Sequence, residues 1–236
     1  MALRYGFDLA GELEAIAYAV ENGADIVDMS FGNALFSILE WEYIAIAGLN
    51  GVLVVAAAGN EAGADGPADN DMPLEIDPDG DGTPDCCPAY PASYDLPNIL
   101  SVAASNALDW YGYSTGCAIR ADEIRPECSF TNTGHESVDL APPGVDVLST
   151  VPGSYDVKNG TSMAAPYVAG VAGLVRSAHP TYGPIEIRNA ILNSVDRPDG
   201  LRFWWNADGT RIIPARSRSP TGASTPSPPW APLPPT

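Results

Sequence analysis

The sequence predicts an α/β fold built on a doubly wound, mostly parallel sheet. Residues 51–58 form an almost continuous apolar strand, as expected where helices cover both faces of a parallel sheet. Residues 9–22 place Leu9, Leu13, Ile16, Ala17 and Val20 at helical spacing. Strand, helix and strand then alternate, which calls for right-handed crossovers.

Taken in order, the first helix ends at Gly23, well placed just past a helix terminus. A short strand at residues 24–30 carries Ile26, Val27 and Met29. Asn33 is the expected cap of a second helix over residues 34–49, and Asn50-Gly51 turns the chain into the apolar strand. Residues 61–98 read mostly as loop, with an acidic segment at 61–89, and residues 100–104 as a short buried strand. Residues 106–128 read as a cysteine-containing surface insertion. Short strands are expected at 138–141 and 147–150, around the Pro142-Pro143-Gly144 turn. A long Ala/Gly-rich helix spans 162–177, with Pro166 in its early turns, and a last helix opens on Pro184, a residue suited to the first helical position. From residue 214 the composition turns Pro/Ser/Thr-rich, so the chain divides into one domain at 1–213 and a disordered tail at 214–236.

The formal charge is −19, with 30 acidic against 11 basic residues. With no basic stripe to neutralise phosphates, nucleic acid is excluded as an expected partner. No apolar run is long enough to span a bilayer, and residues 1–8 lack the pattern of a secretory leader. Asp77, Asp79, Asp81 and Asp85 stand at positions 1, 3, 5 and 9 of a calcium-like loop with Gly82 at position 6, although position 12 is Pro88 rather than Glu. A structural calcium ion and a solvated acidic loop both fit that pattern. Four cysteines, Cys86, Cys87, Cys117 and Cys128, allow three pairings. A disulfide closing the short loop between Cys117 and Cys128 is the favoured one, with free thiols as the alternative, and disulfides imply an oxidising compartment.

One stretch carries the chemistry: Gly160-Thr161-Ser162-Met163-Ala164-Ala165-Pro166-Tyr167-Val168-Ala169-Gly170. It sets a serine on the first turn of a helix, where unpaired N–H groups face any negative charge that develops beside it. A plain helix cap is the ordinary reading of Gly-Thr-Ser alone. The longer string resembles the nucleophile segment of the subtilisin-like serine proteases. So do residues 25–32 for the strand lining the substrate cleft, 52–61 for the strand ending in the oxyanion asparagine, and 90–94, 99–104 and 138–145 in the family's order. The resemblance covers roughly residues 9–195.

It implies a three-layer sandwich lacking its N-terminal part. It also implies a serine endopeptidase chemistry that needs no cofactor for the reaction, acts on polypeptides and is exported. Ser162 is the implied nucleophile and Asn60 the implied oxyanion donor. Ser30, Phe31 and Gly32, with Ala57, Ala58 and Gly59, are the implied backbone segments that bracket an extended substrate. Phe31 stands where the family often has Leu, and Tyr167 where it has a non-catalytic His. The family's catalytic Asp and His segments are not in this sequence. The two histidines present, His135 and His179, lie outside the family's catalytic-His motif. The expectation is therefore an incomplete catalytic domain, inactive alone, whose partner is the N-terminal part of the same domain. A non-catalytic pseudoprotease, or a calcium-stabilised binding or structural domain, is the alternative.

Overall fold

The computed structural model describes residues 1–3, 8–61, 68–71, 88–109, 111–112 and 129–196, together with the backbone of 204–205 and 211–212. Helix α1, Leu9–Glu21, starts at Asp8, whose carboxylate accepts from the Gly11 amide at 2.8 Å, and ends in Asn22. This cap satisfies one of the donors that a helix start leaves unpaired. Strand β1, Ile26–Met29, follows. Helix α2, Ile38–Leu49, begins four residues later than the sequence predicts, because Ser37 rather than Asn33 caps it. Asn33 is spent elsewhere: its side chain accepts from the Leu35 amide, and its backbone forms an antiparallel bridge with Tyr90.

Strand β2, Leu53–Ala57, lies between β1 and β3, Ile99–Val102, with both pairings parallel. Its side chains explain the continuous apolar run. Leu53, Val55 and Ala57 face one layer and pack with Ala164, Ala165, Val168, Ala172, Ile187 and Ile191. Val54 and Ala56 face the other and pack with Ile16, Met29, Ile44, Ala47 and Ile99. A strand alternates its side chains, so only a sheet covered on both faces buries all five β2 residues.

The first layer consists of α3, Thr161–Ala178, and α4, Pro184–Ser194, which opens on its proline as predicted. The second consists of α1 and α2. The result is an α/β sandwich about a parallel sheet, with separate two-stranded antiparallel pairs beside it. Residues 138–141 do not form the predicted strand. They touch the sheet through one parallel bridge, Leu140 to Val102, and Arg188 of α4 holds the segment by pairing with Asp139 while donating to the Ile99 carbonyl. Strand β4, Val147–Val151, pairs with β5, Ser154–Lys158, in a hairpin whose second strand the sequence reading missed. A small antiparallel pair, β6 (Trp204–Trp205) and β7 (Arg211–Ile212), lies beyond α4.

The expected disulfide is corrected. No disulfide bond is present among the described residues, and Cys86, Cys87, Cys117 and Cys128 all fall outside them. What closes the described fold is apolar packing on both sides of β2. The tail at 214–236 also lies outside the described residues.

Candidate active site

The site forms where the C-terminal ends of β1 and β2 meet the start of α3. Gly160 precedes that helix with φ +150°, a conformation that L side chains rarely adopt, and its amide donates to the Gly144 carbonyl at 2.9 Å. Ser162 is then the second residue of α3 and half-buried, and its hydroxyl donates to the Ser30 carbonyl at 2.8 Å. Pro166 carries no amide, so the Ser162 carbonyl lacks the usual donor one turn on.

Asn60 leaves β2 and reaches the same helix start. Its side-chain oxygen accepts from the Thr161 amide at 2.9 Å and from the Thr161 hydroxyl at 3.2 Å. The Thr161 hydroxyl in turn accepts from the Gly59 amide at 3.3 Å. The end of β2 thus caps α3 in place of a local side chain, since Gly160 has none. With Oδ1 committed to Thr161, the Asn60 Nδ2 group is the donor left on the other side of that amide.

The two backbone segments flank this junction unequally. Ser30 and Phe31 are half-buried, and Phe31 packs against the α1/α2 core, while Gly32 is exposed beside the Tyr90 carbonyl. Ala57 and Ala58 are buried. Ala58 donates to Val102 and accepts from the Asn70 side chain, and Gly59 donates to Thr161 and accepts from the Asn132 amide. The amides of Ala58 and Gly59 are therefore already spent within the chain, leaving a second lone pair on each carbonyl.

The histidines are elsewhere. His179 caps the far end of α3, roughly 25 Å along the axis from Ser162 at 1.5 Å per residue, and stacks on Tyr182 with ring centroids 4.4 Å apart. His135 is exposed on a turn whose next two amides donate to Asp71. Among the described residues, neither histidine is hydrogen-bonded to Ser162. Asp77, Asp79, Asp81 and Asp85 lie outside the described residues, and no group of three or more metal-ligating side chains occurs among those described.

Two features escaped the sequence reading. Glu12 of α1 and Glu40 of α2 are both buried, and the Tyr94 hydroxyl donates to Glu40 at 2.6 Å. Burial first, and the Glu40 carboxyl second, push the Glu12 carboxyl up to about 8, so the pair holds a proton near neutrality. The signal was present: Glu12 is three residues after Leu9 and four before Ile16, on the apolar stripe of α1. The other feature is a buried amide network of Asn70, in a segment that reads as loop, and Asn132, which ends the Ser129-Phe130-Thr131-Asn132 turn.

A sandwich whose sheet ends converge on a serine at a helix N-terminus defines the class of subtilisin-like α/β folds. The sequence comparison narrows it: the chain matches the subtilase family over residues 5–217, and it belongs to that family. It is 32% identical over 180 residues to subtilisin of Bacillus pumilus, covering 76% of this chain and 52% of that protein. It is 36% identical over 185 residues to the halolysin-like extracellular serine protease Nep of Natrialba magadii, covering 78% of this chain and 27% of that one. The chain thus spans about half the length of the Bacillus pumilus relative, and less of Nep. Among solved structures, it resembles the prenylagaramide maturation protease PagA with a TM-score of 0.61 at 24% identity, over 91% of this chain and 64% of that one. A cold-adapted subtilisin-like serine proteinase gives 0.57 at 21% identity, over 90% and 63%. At those identities the structural likeness speaks to fold alone. No helix among the described residues is long and apolar enough to cross a membrane.

Proposed function

We propose that this chain supplies the nucleophile and oxyanion half of a secreted serine endopeptidase acting on polypeptides. The observation that carries the reading is the bond from Thr161 to the Asn60 side chain, which sets an asparagine amide beside the serine at the start of α3. In the reaction, the Ser162 oxygen adds to a peptide carbonyl while a base takes its proton. The resulting oxyanion is met by Asn60 Nδ2 and the Ser162 amide. The amine then leaves with a proton, and water hydrolyses the acyl-enzyme.

Among the described residues, no base and orienting acid are gathered at this site. The proposed partner is the N-terminal part of the same domain, seated along β1. Two features favour that seat. Among the described residues β1 pairs with β2 alone, leaving its other edge open. On α3, Tyr167, Val171 and Leu174 form an exposed apolar stripe at helical spacing, with Leu174 72% exposed. Ser30–Gly32 and Ala57–Gly59 then flank the substrate. A structural calcium ion on Asp77, Asp79, Asp81 and Asp85 remains part of the proposal, as does export.

The bond from Ser162 to a carbonyl, with no histidine at the hydroxyl, favours the second reading of a non-catalytic pseudoprotease. A fluorophosphonate probe and a peptide p-nitroanilide decide between them. The expected result is little turnover by the 236-residue chain alone, with labelling and turnover gained when an upstream segment bearing the Asp and His motifs is co-expressed, and lost in Ser162→Ala. Turnover that survives Ser162→Ala overturns the protease reading, and so does the absence of any gain on complementation.

A further inference from the structure

Asn60 is held by more than its own bond to Thr161. Asn132, fully buried, reaches the residues on both sides of it. Its backbone amide donates to the Gly59 carbonyl at 3.0 Å. Its side-chain oxygen accepts from the Glu61 amide at 2.8 Å, and its side-chain nitrogen donates to the Glu61 carboxylate at 2.6 Å. The remaining hydrogen on that nitrogen goes to the Asn70 side-chain oxygen at 3.0 Å, and Asn70 donates to the Ala58 carbonyl at 2.8 Å. Residues 58, 59 and 61 are thus tied to two buried asparagines, and residue 60 alone in this turn is left to face the cleft.

We infer that Asn132 is a positioning residue for Asn60, clamping the turn at residues 59 and 61 so that the Asn60 amide keeps its orientation. The inference rests on reading Asn60 as the oxyanion donor. Only an asparagine meets these demands here. Two donors and an acceptor lie in one short planar group, whereas aspartate has no N–H and would set a second negative charge against Glu61. Glutamine is one methylene too long for a fully buried site, and leucine has the shape without the bonds. Gly59 completes the device. It adopts φ +109°, and a Cβ there would overlap the Glu61 carboxylate and the Asn132 amide. That glycine is the loosest point in the turn, and the Asn132 bonds to either side fix it. The site therefore starts from an oriented donor, with no reorganisation required when charge develops.

The test compares wild type with Asn132→Leu in the 236-residue chain labelled with nitrogen-15, the Asn60 side-chain signals being assigned by their loss in Asn60→Asp. In Asn132→Leu the Asn60 Nδ2 signals should shift or broaden. Exchange of the Thr161 amide, which Asn60 covers, should become on the order of tenfold faster. The Leu100 and Val102 amides, reporting on the sheet, should keep their protection. A merely structural role for Asn132 lowers the protection of all these amides together and leaves the Asn60 signals in place, and that result overturns the inference. Should Asn132→Leu fail to fold, Glu61→Ala removes one bond of the clamp and must move the same two signals in a folded protein. Unmoved signals overturn the inference.

A peptide boronic acid, whose adduct on serine mimics the tetrahedral intermediate, separates this from the catalytic reading. Used on the complemented protein, it should bind no more weakly to Asn60→Ala/Asn132→Leu than to Asn60→Ala, while Asn132→Leu alone binds more weakly than wild type. Additive losses overturn the inference. If Asn60→Ala leaves boronate affinity unchanged, the oxyanion reading fails, and the exchange measurement still decides the clamp.

Discussion

The Ser162 hydroxyl donates to the Ser30 carbonyl across 132 positions of sequence, joining the start of α3 to the end of β1. That bond states the condition of the site. A serine at a helix N-terminus is an activated nucleophile only when a base takes its proton, and here the hydroxyl only donates a hydrogen bond to a backbone carbonyl, which is no base. Ser30 is itself fixed, since its hydroxyl donates to Asp28 at 2.8 Å, and burial raises the Asp28 carboxyl above its usual range.

Replacing Ser162 by Ala should therefore separate chemistry from stability. Probe labelling and turnover of the complemented protein are expected to disappear, whereas stability should change by no more than about 1 kcal/mol, the net worth of one ordinary hydrogen bond. Labelling and urea denaturation on the same preparations check both halves.

Asn60 has two separable duties. Asn60→Ala removes the cap on α3 and should cost about 1 kcal/mol of stability. Asn60→Asp keeps an acceptor for the Thr161 amide and adds a negative charge at a helix N-terminus, so its stability should stay near wild type. Both variants lose the N–H donor, and both should lose on the order of 10²–10³ in kcat in the complemented protein, a magnitude carried over from subtilisin rather than derived from this geometry. Thermal melts beside kcat measurements check the split. An Asn60→Asp protein as active as wild type would show that the amide is not an oxyanion donor.

The Glu12–Glu40 pair predicts a pH dependence of folding. Glu12 titrates at about 8 in the fold against an ordinary value of 4.5, so the folded chain keeps a proton that the unfolded chain releases. The associated stabilisation is complete below about pH 4.5 and is lost as the pH rises through about 8. Glu40 and Tyr94 are the titratable groups that face it, and the Tyr94 hydroxyl is itself raised by burial and by Glu40. Glu12→Gln keeps a neutral hydrogen-bonding side chain and should flatten the decline, leaving the variant more stable than wild type at pH 9 by a few kcal/mol. Parallel slopes for the two proteins in urea titrations between pH 5 and pH 9 would remove the pair as the cause.

Leu53 and Leu174 test the layering. Leu53 is fully buried between β2 and the α3/α4 layer, and Leu53→Ala should cost about 2–5 kcal/mol. Leu174 is 72% exposed on the outer stripe of α3. Leu174→Ser should leave stability within about 0.5 kcal/mol and reduce self-association of the isolated chain. Denaturation midpoints and light scattering check the contrast, and a large loss of stability in Leu174→Ser would place that residue in the core instead.

The sequence by itself determined the layers and the shape of the site's walls. Period-3.6 spacing in α1, the unbroken apolar run of β2 and the proline that opens α4 are local signals, and each acts within a few residues of where it is read. The Gly-Thr-Ser start of α3 and the Gly-Asn end of β2 were legible for the same reason. Tertiary structure alone decided which polar groups meet. Asn33 and Ser37 are both capping residue types, and the bridge to Tyr90 settled the choice between them. Glu12 sits on the apolar stripe of α1, yet only the packing of α2 brings Glu40 against it, and Asn132 meets Gly59 and Glu61 only when the sheet sets them beside it. Hydrogen bonds are short and directional, so partners separated by 71, 101 or 132 positions are chosen only when packing has fixed where each element stops.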